Sequence, residues 1–272
     1  MEKAKRKRGR PKSASLKPAE TKIQSLDRAI DILEHIARGG GMTLSEIAEK
    51  SGQSAATIYR ILATCSARHL VEIDAITQEW HIGPESFRIG SAFLQRTGIV
   101  ERARPMMRAL MLETGETANL GVESNRQVLF LSQVETHENI RAFFPPGTQS
   151  PMHASGIGKA LLANADDKTI EAYLKSGEIE TFTENTISNR KELRTELARI
   201  KSQGYAFDNE EKSMGMRCVA APIFNAYGEA IAGISISGPT ARLTLERIDM
   251  ICRHVMEQAQ TLSVGLGYRR PS

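Results

Sequence analysis

Ser235 and Ser237 stand two residues apart in Gly233-Ile234-Ser235-Ile236-Ser237. Alternate side chains of an extended strand share a face, so this spacing points both hydroxyls one way and Ile234 and Ile236 the other. Two hydroxyls about 7 Å apart can donate to or accept from opposite ends of one small polar molecule. The stretch has the outline of a hydrolase nucleophile elbow, but Ser237 stands where that turn needs glycine and no helix follows directly, so a serine nucleophile is rejected. Gly156-Ile157-Gly158-Lys159-Ala160 invites comparison with a phosphate-binding loop. His153 occupies the place of its first glycine and Ala160 that of its magnesium-binding hydroxyl, and the nucleotide reading fails. What survives is a turn that opens a helix, whose first amides can hold a carboxylate. Cys218 borders the apolar run VAAPIF, surroundings that keep a thiol neutral and favour a packed cysteine over a nucleophile.

The six histidines, at 35, 69, 81, 137, 153 and 254, form no i, i+4 pair and have no carboxylate at ligand spacing, so no metal site is expected. Cys65, Cys218 and Cys252 fit no Cys-x-x-Cys pattern and read as free thiols.

A second chemistry is written between Gln53 and Cys65. Ile58, Ile61, Leu62 and Cys65 make one apolar helical stripe, while Gln53, Ala56, Thr57, Arg60 and Thr64 fall on the opposite face. A solvent-facing side is ordinarily covered by long charged residues. This one is smooth, with a single guanidinium suited to a guanine edge or a phosphate. Ser54, Ala55, Ala56, Thr57, Tyr59 and Arg60 are therefore the candidate DNA-reading residues.

The elements around these residues follow from period and caps. Leu26–Ala37 is an amphipathic helix ended by Gly39-Gly40-Gly41. Thr43 and Glu46 form a capping box for a second helix, which Ser51-Gly52 breaks before the DNA-reading one. After His69 the period becomes two: Val71 and Ile73 alternate, a polar stretch intervenes, and Trp80 and Ile82 alternate again, which predicts a hairpin. Three helices and a hairpin over residues 23–83 outline a winged helix-turn-helix. Helical patterns at 84–95 and 100–114, with Gly98 between, are read as a connector over residues 84–114, its Met106, Met107, Leu110 and Met111 as core. Residues 115–272 alternate strands (117–123, 127–134, 139–144, 205–209, 217–224, 230–237) with helices (156–164, 167–175, 190–203, 244–266), so the chain is of α+β class.

With 272 residues, 40% hydrophobic and 25% charged, the composition is that of a two-domain globular chain. No apolar run approaches the ~18 residues of a membrane helix and the basic start lacks the apolar core of a secretion signal, so a cytoplasmic location is expected. The net charge of +4 is uneven, because Lys3, Lys5, Arg6, Lys7, Arg8, Arg10 and Lys12 face only Glu2 in the first twelve residues. Residues 1–22 are read as a basic disordered arm that seeks a polyanion. Within it Arg8-Gly9-Arg10-Pro11 matches the core of an AT-hook, which lays arginines along a narrow minor groove.

Several separate motifs, in order, carry a family resemblance: LSEIAEKSGQSAATIYRIL at 44–62, WHIG at 80–83, PMHASGIGKALLA at 151–163, GYAFDNEE at 204–211, GMRCVAAPIF at 215–224 and IAGISISGP at 231–239. The chain resembles the IclR family of bacterial transcriptional regulators over residues 23–266. The resemblance implies a winged helix-turn-helix, a linker helix and a C-terminal GAF-like effector-binding domain. It also implies a homodimer or a dimer of dimers (a homotetramer) on a pseudo-palindromic double-stranded DNA operator. In the family branch that senses glyoxylate, the matching effector positions are Asp208, Cys218, Ser235 and Ser237 with the amides of Gly156 and Ile157, and Met216 closes an apolar side. Aromatic-acid sensors of the family have larger, more apolar pockets. The KRKRGRPK arm is longer and more basic than the family pattern and would widen the DNA footprint.

Hydroxyls and helix-start amides offer a 2-oxo acid its donors, and ionised Asp208 an acceptor for a hydrate hydroxyl. The sequence thus reads as a sequence-specific regulator responding to a small organic acid, glyoxylate first, with no cofactor, metal or catalytic residue. The alternatives are the same regulator sensing pyruvate or an aromatic acid, or an enzyme acting on a small carbonyl acid through Cys218 or Asp208.

Overall fold

The computed structural model describes residues 23–177 and 179–269, and the chain divides into two compact units, Met1–Phe93 and Leu94–Ser272.

In the first unit α1 (Gln24–Gly39), α2 (Leu44–Ser51) and α3 (Ala55–Ser66) enclose Ile32, Ile36, Ile47, Ile58 and Leu62. The capping box of α2 is present: the Thr43 amide donates to Glu46 Oε2 at 2.8 Å and the Glu46 amide to Thr43 Oγ1 at 3.4 Å. The hairpin strands are β2 (Val71–Ile73) and β3 (Glu79–Ile82), and a two-residue strand β1 (Met42–Thr43) pairs with the outer side of β3. Two residues are too few for a period-two signal, and only the long-range pairing of Met42 with Trp80 reveals β1. Asp74 accepts the amides of Ile76 and Thr77 at the hairpin turn, which holds its carboxyl below the ordinary range. Trp80 is 7% exposed and belongs to the core of this unit.

The two helices expected on either side of Gly98 are present. The helix α4 (Pro84–Thr97) begins in the first unit, and α5 (Ile99–Thr114) is a core element of the second. Gly98, at φ 56°, supplies the left-handed break between them. Ala103, Met107, Leu110 and Met111 are buried and Met106 packs beside them, so this methionine cluster is core.

The second unit is built on a six-stranded antiparallel sheet in the order β6-β5-β4-β9-β8-β7. Its strands are β4 (Thr117–Ser124), β5 (Gln127–Val134), β6 (Gln149–Pro151), β7 (Ala206–Asn209), β8 (Met216–Phe224) and β9 (Ala230–Pro239). One face, with Leu120, Val219, Ala221, Ile234 and Ile236, packs against α5 and the long helix α9 (Leu245–Gly265). The other face carries α6 (Gly156–Ala163), with α7 (Asp167–Lys175) and α8 (Arg190–Gln203) outside it. Gly233 lets α6 approach this face, for a Cβ there would come 2.8 Å from Ile157 Cγ2.

The strand expected at 139–144 is absent. Ile140 and Phe143 are exposed there, and the turn through Pro145, Pro146 and Gly147 brings residues 149–151 to β5 instead. Phe144 stacks on Phe130 at 4.8 Å between ring centroids, so the alternation that suggested a strand serves a loop packed on the sheet.

Candidate ligand cavity and nucleic-acid interface

Register assembles the cavity. Asp208 of β7 pairs with Cys218 of β8, Cys218 with Ser237 of β9, and Ser237 with Thr117 of β4. The next row on the same face runs Ala206, Ala220, Ser235, Asn119 and Gln133. The first turn of α6 lies directly on the first row: a Cβ on Gly156 would sit 2.7 Å from Cys218 Sγ and 3.2 Å from the Ala220 Cβ. Ser155 caps α6 by accepting the Gly158 amide on its hydroxyl and the Lys159 amide on its carbonyl. The amides of Gly156 and Ile157 are the first of the helix, which intrahelical bonding leaves over.

The result is a cavity of about 60 Å³. Gly156, Asp208, Met216, Cys218 and Ser237 line it, joined by Phe130, Phe144, Ser150, Lys212 and Arg217. Ile157 and Ser235 are not among the lining residues. The Ile157 side chain packs under Gly121 and Gly233, and Ser235, 1% exposed, lies in the deeper row with its Oγ buried and without a hydrogen-bond partner. Asn119, which the sequence reading did not single out, is fully buried and donates from Nδ2 to Ser237 Oγ at 3.3 Å while its Oδ1 accepts from Gln133 at 3.0 Å. Ser237 Oγ thus accepts from Asn119, and its hydroxyl also lies in hydrogen-bonding contact with the Cys218 thiol. The alternation of polar Thr117 and Asn119 with Ala118 and Leu120 was the available signal.

Lys159, on the same helix as Gly156 and outside the cavity lining, is 0% exposed, donates to the Phe207 carbonyl at 2.7 Å and forms an ion pair with Glu211. Burial pushes the Glu211 carboxyl up to about 7 against the pull of Lys159, and Asp208 up to about 6 for the same reason. Asp208 also accepts the Glu211 amide at 2.9 Å. Burial raises the Cys218 thiol to about 11, so the group facing the cavity is S–H and not thiolate. His153 is committed elsewhere, with Nδ1 at 3.0 Å from the Tyr173 hydroxyl and Nε2 at 2.8 Å from the Glu180 carbonyl. Among the described residues no group of three or more His, Cys, Asp or Glu could hold a metal ion.

In the first unit Ser54 caps α3 through the Thr57 amide, and the two hydroxyls lie 2.9 Å apart. Ser54, Ala55, Ala56, Tyr59 and Arg60 are exposed, whereas Thr57 is partly covered. Small side chains at the start of α3 allow close approach to a groove, and its first turn carries no acidic residue to repel phosphate. Arg8 and Arg10 lie outside the described residues.

A winged helix-turn-helix with a bare recognition helix, in one chain with a sheet domain that carries a small cavity of mixed polar and apolar lining, defines a ligand-responsive DNA-binding regulator. The comparisons agree: residues 25–75 match the IclR helix-turn-helix domain and residues 91–264 the C-terminal domain of the bacterial transcriptional regulator IclR. The chain belongs to the IclR family of transcriptional regulators. It is 52% identical over 268 residues to the HTH-type transcriptional regulator BhcR of Paracoccus denitrificans, covering 97% of this chain and 96% of that one. It superposes on the Thermotoga maritima IclR crystal structure with a TM-score of 0.74 at 32% identity, over 91% of this chain and 100% of that one. An IclR homologue of Microbacterium hydrocarbonoxydans, solved with 4-hydroxybenzoate, shares the fold at a TM-score of 0.80 and 22% identity, over 89% of this chain and 98% of that one. Among the described residues no helix is long and apolar enough to cross a membrane.

Proposed function

We propose that this DNA-binding transcriptional regulator responds to glyoxylate bound beneath the start of α6. The carrying observation is a cavity of about 60 Å³ whose floor is Asp208, Cys218 and Ser237 and whose roof is the Gly156 end of a helix. The carboxylate takes the helix-start amides and the Ser237 proton, and Asp208 accepts from the hydrate end. Ser235 supports this set from the row below. Cavities for drug-sized ligands run to about 300–1,000 Å³, so a ring acid of the 4-hydroxybenzoate kind would need Phe130 and Phe144 to move apart. Pyruvate adds a methyl group to the same problem. An enzyme acting through Cys218 is disfavoured by a thiol held near 11 and by the engagement of both His153 nitrogens.

Ligand occupancy shifts DNA binding only through different affinities for two arrangements of a homodimer or dimer of dimers on a two-fold operator. Arg60 and the small residues of α3 read the major groove, and Arg8 and Arg10 of the basic arm add minor-groove contacts. The test is calorimetric titration of glyoxylate, pyruvate and 4-hydroxybenzoate into the full chain and Ser237→Ala. Glyoxylate binding that exceeds the other two and weakens roughly tenfold in the variant supports the reading; preference for either competitor refutes glyoxylate.

A further inference from the structure

An acid entering this cavity brings a negative charge beside Asp208. Three charged side chains line the cavity: Asp208, Arg217 and Lys212. Arg217 is already committed, donating to Asn209 Oδ1 at 2.7 Å and to the Leu243 carbonyl at 2.8 Å, with Glu210 at 4.0 Å. Lys159 of α6 is spent on Glu211 and the Phe207 carbonyl. Lys212 differs. It is partly buried, its ammonium stands 5.3 Å from the centroid of the Phe182 ring, and among the described residues it makes no hydrogen bond or ion pair. Glu180 and Asp208 act on it only at a distance, and burial outweighs them, so its proton is held less firmly than that of an ordinary lysine.

The backbone on both sides of Lys212 is pinned. Thr183 donates to the Glu210 carbonyl at 2.7 Å, Thr186 to the Glu211 carbonyl at 2.5 Å, and the Gly215 amide to the Glu210 carboxylate at 2.7 Å. A cation whose direct contact is the face of Phe182 thus lines a small cavity from a braced loop. We propose that Lys212 is the specificity-determining residue of this cavity, its ammonium binding the ligand's carboxylate and so selecting acids over neutral carbonyl compounds of the same size. The inference rests on the ligand-site reading above and adds the side chain that reads charge. In a space of about 60 Å³ the ammonium and the α6 amides can share one carboxylate, an oxygen each. The ion pair forms cheaply, because the ammonium is already partly desolvated and gives up no hydrogen bond or ion pair, only its contact with the face of Phe182.

The rival role is that Lys212 only offsets the charge of Asp208. Calorimetry separates the two with glyoxylate and its neutral amide, glyoxylamide, titrated into wild type, Lys212→Gln and Lys212→Arg. The expected result is a loss of glyoxylate affinity of about 10- to 100-fold in Lys212→Gln, unchanged glyoxylamide binding, and substantial rescue by arginine. Equal weakening of both ligands, or unchanged glyoxylate binding, in Lys212→Gln overturns the inference while leaving the cavity reading in place. Wild type that binds neither compound overturns both.

Discussion

Asp208 shows how one carboxyl can be legible in sequence and still acquire its chemistry from its surroundings. GYAFDNEE marks it as a candidate acceptor and Glu211 and Lys212 follow it closely in the chain, but Lys159, whose charge bears on Asp208 and Glu211, comes from α6, which the linear order does not join to them. Burial raises the native Asp208 value from 3.8 to about 6. Between roughly pH 4 and 6 the native chain therefore keeps a proton that the unfolded chain has released, so this group favours folding at low pH and that contribution is lost as pH rises through 6. Asp208→Asn keeps the acceptor for the Glu211 amide and removes the titration. Its unfolding free energy, from urea titrations at a series of pH values, should fall less steeply than wild type across that window and exceed wild type near neutrality. A parallel pair of curves would show that Asp208 titrates normally. Lys159 shows the opposite limit: its sequence context suggested a failed phosphate loop, whereas the fold buries it completely against Glu211. No periodicity announces a buried ion pair, since the energy that tolerates it comes from a partner 52 residues away.

At the scale of elements, local signals served well where the physics is local. The capping box at Thr43, the Asn189 cap of α8, whose Oδ1 accepts the Lys191 and Glu192 amides, and the left-handed Gly204 that ends α8 all depend on neighbours within a turn. The expectation failed at 139–144, where hydrophobic alternation was present but no sheet edge was offered, and at β1, which exists only because β3 passes by. The start of α6 gives a direct test of the cavity. Gly156→Ala adds a methyl group aimed at Cys218 Sγ, 2.7 Å away, in a position whose backbone any residue can adopt. Small-ligand binding should be lost by titration, while far-UV circular dichroism and operator DNA binding persist. Retained ligand affinity would mean that the acid does not sit between α6 and Cys218.

The whole molecule is two units with separate cores, and the one tryptophan, Trp80, is buried in the first. Its fluorescence accordingly reports the folding of the DNA-binding unit and not a direct DNA contact. Circular dichroism reports chiefly the larger second unit, so the two denaturation curves should not coincide. Glyoxylate at about 100 times its Kd should stabilise the second unit by roughly 2.7 kcal/mol, moving the dichroism transition and leaving the Trp80 transition in place. Coincident curves that move together would show that the units unfold as one.

By itself the sequence determined most of the elements and their faces, the smooth face of α3 and the shared face of Ser235 and Ser237, and its motifs carried the family resemblance that added Asp208 and Cys218. These properties are set by period, caps and motifs within short stretches of chain. Only the tertiary structure decided that Ser235 lies a row below the cavity, that Asn119 bonds Ser237, and that Lys212 is left without a hydrogen bond or ion pair. The reason is physical: strand register and loop return bring together residues more than a hundred positions apart, and whether a charge is satisfied depends on every neighbour the fold supplies.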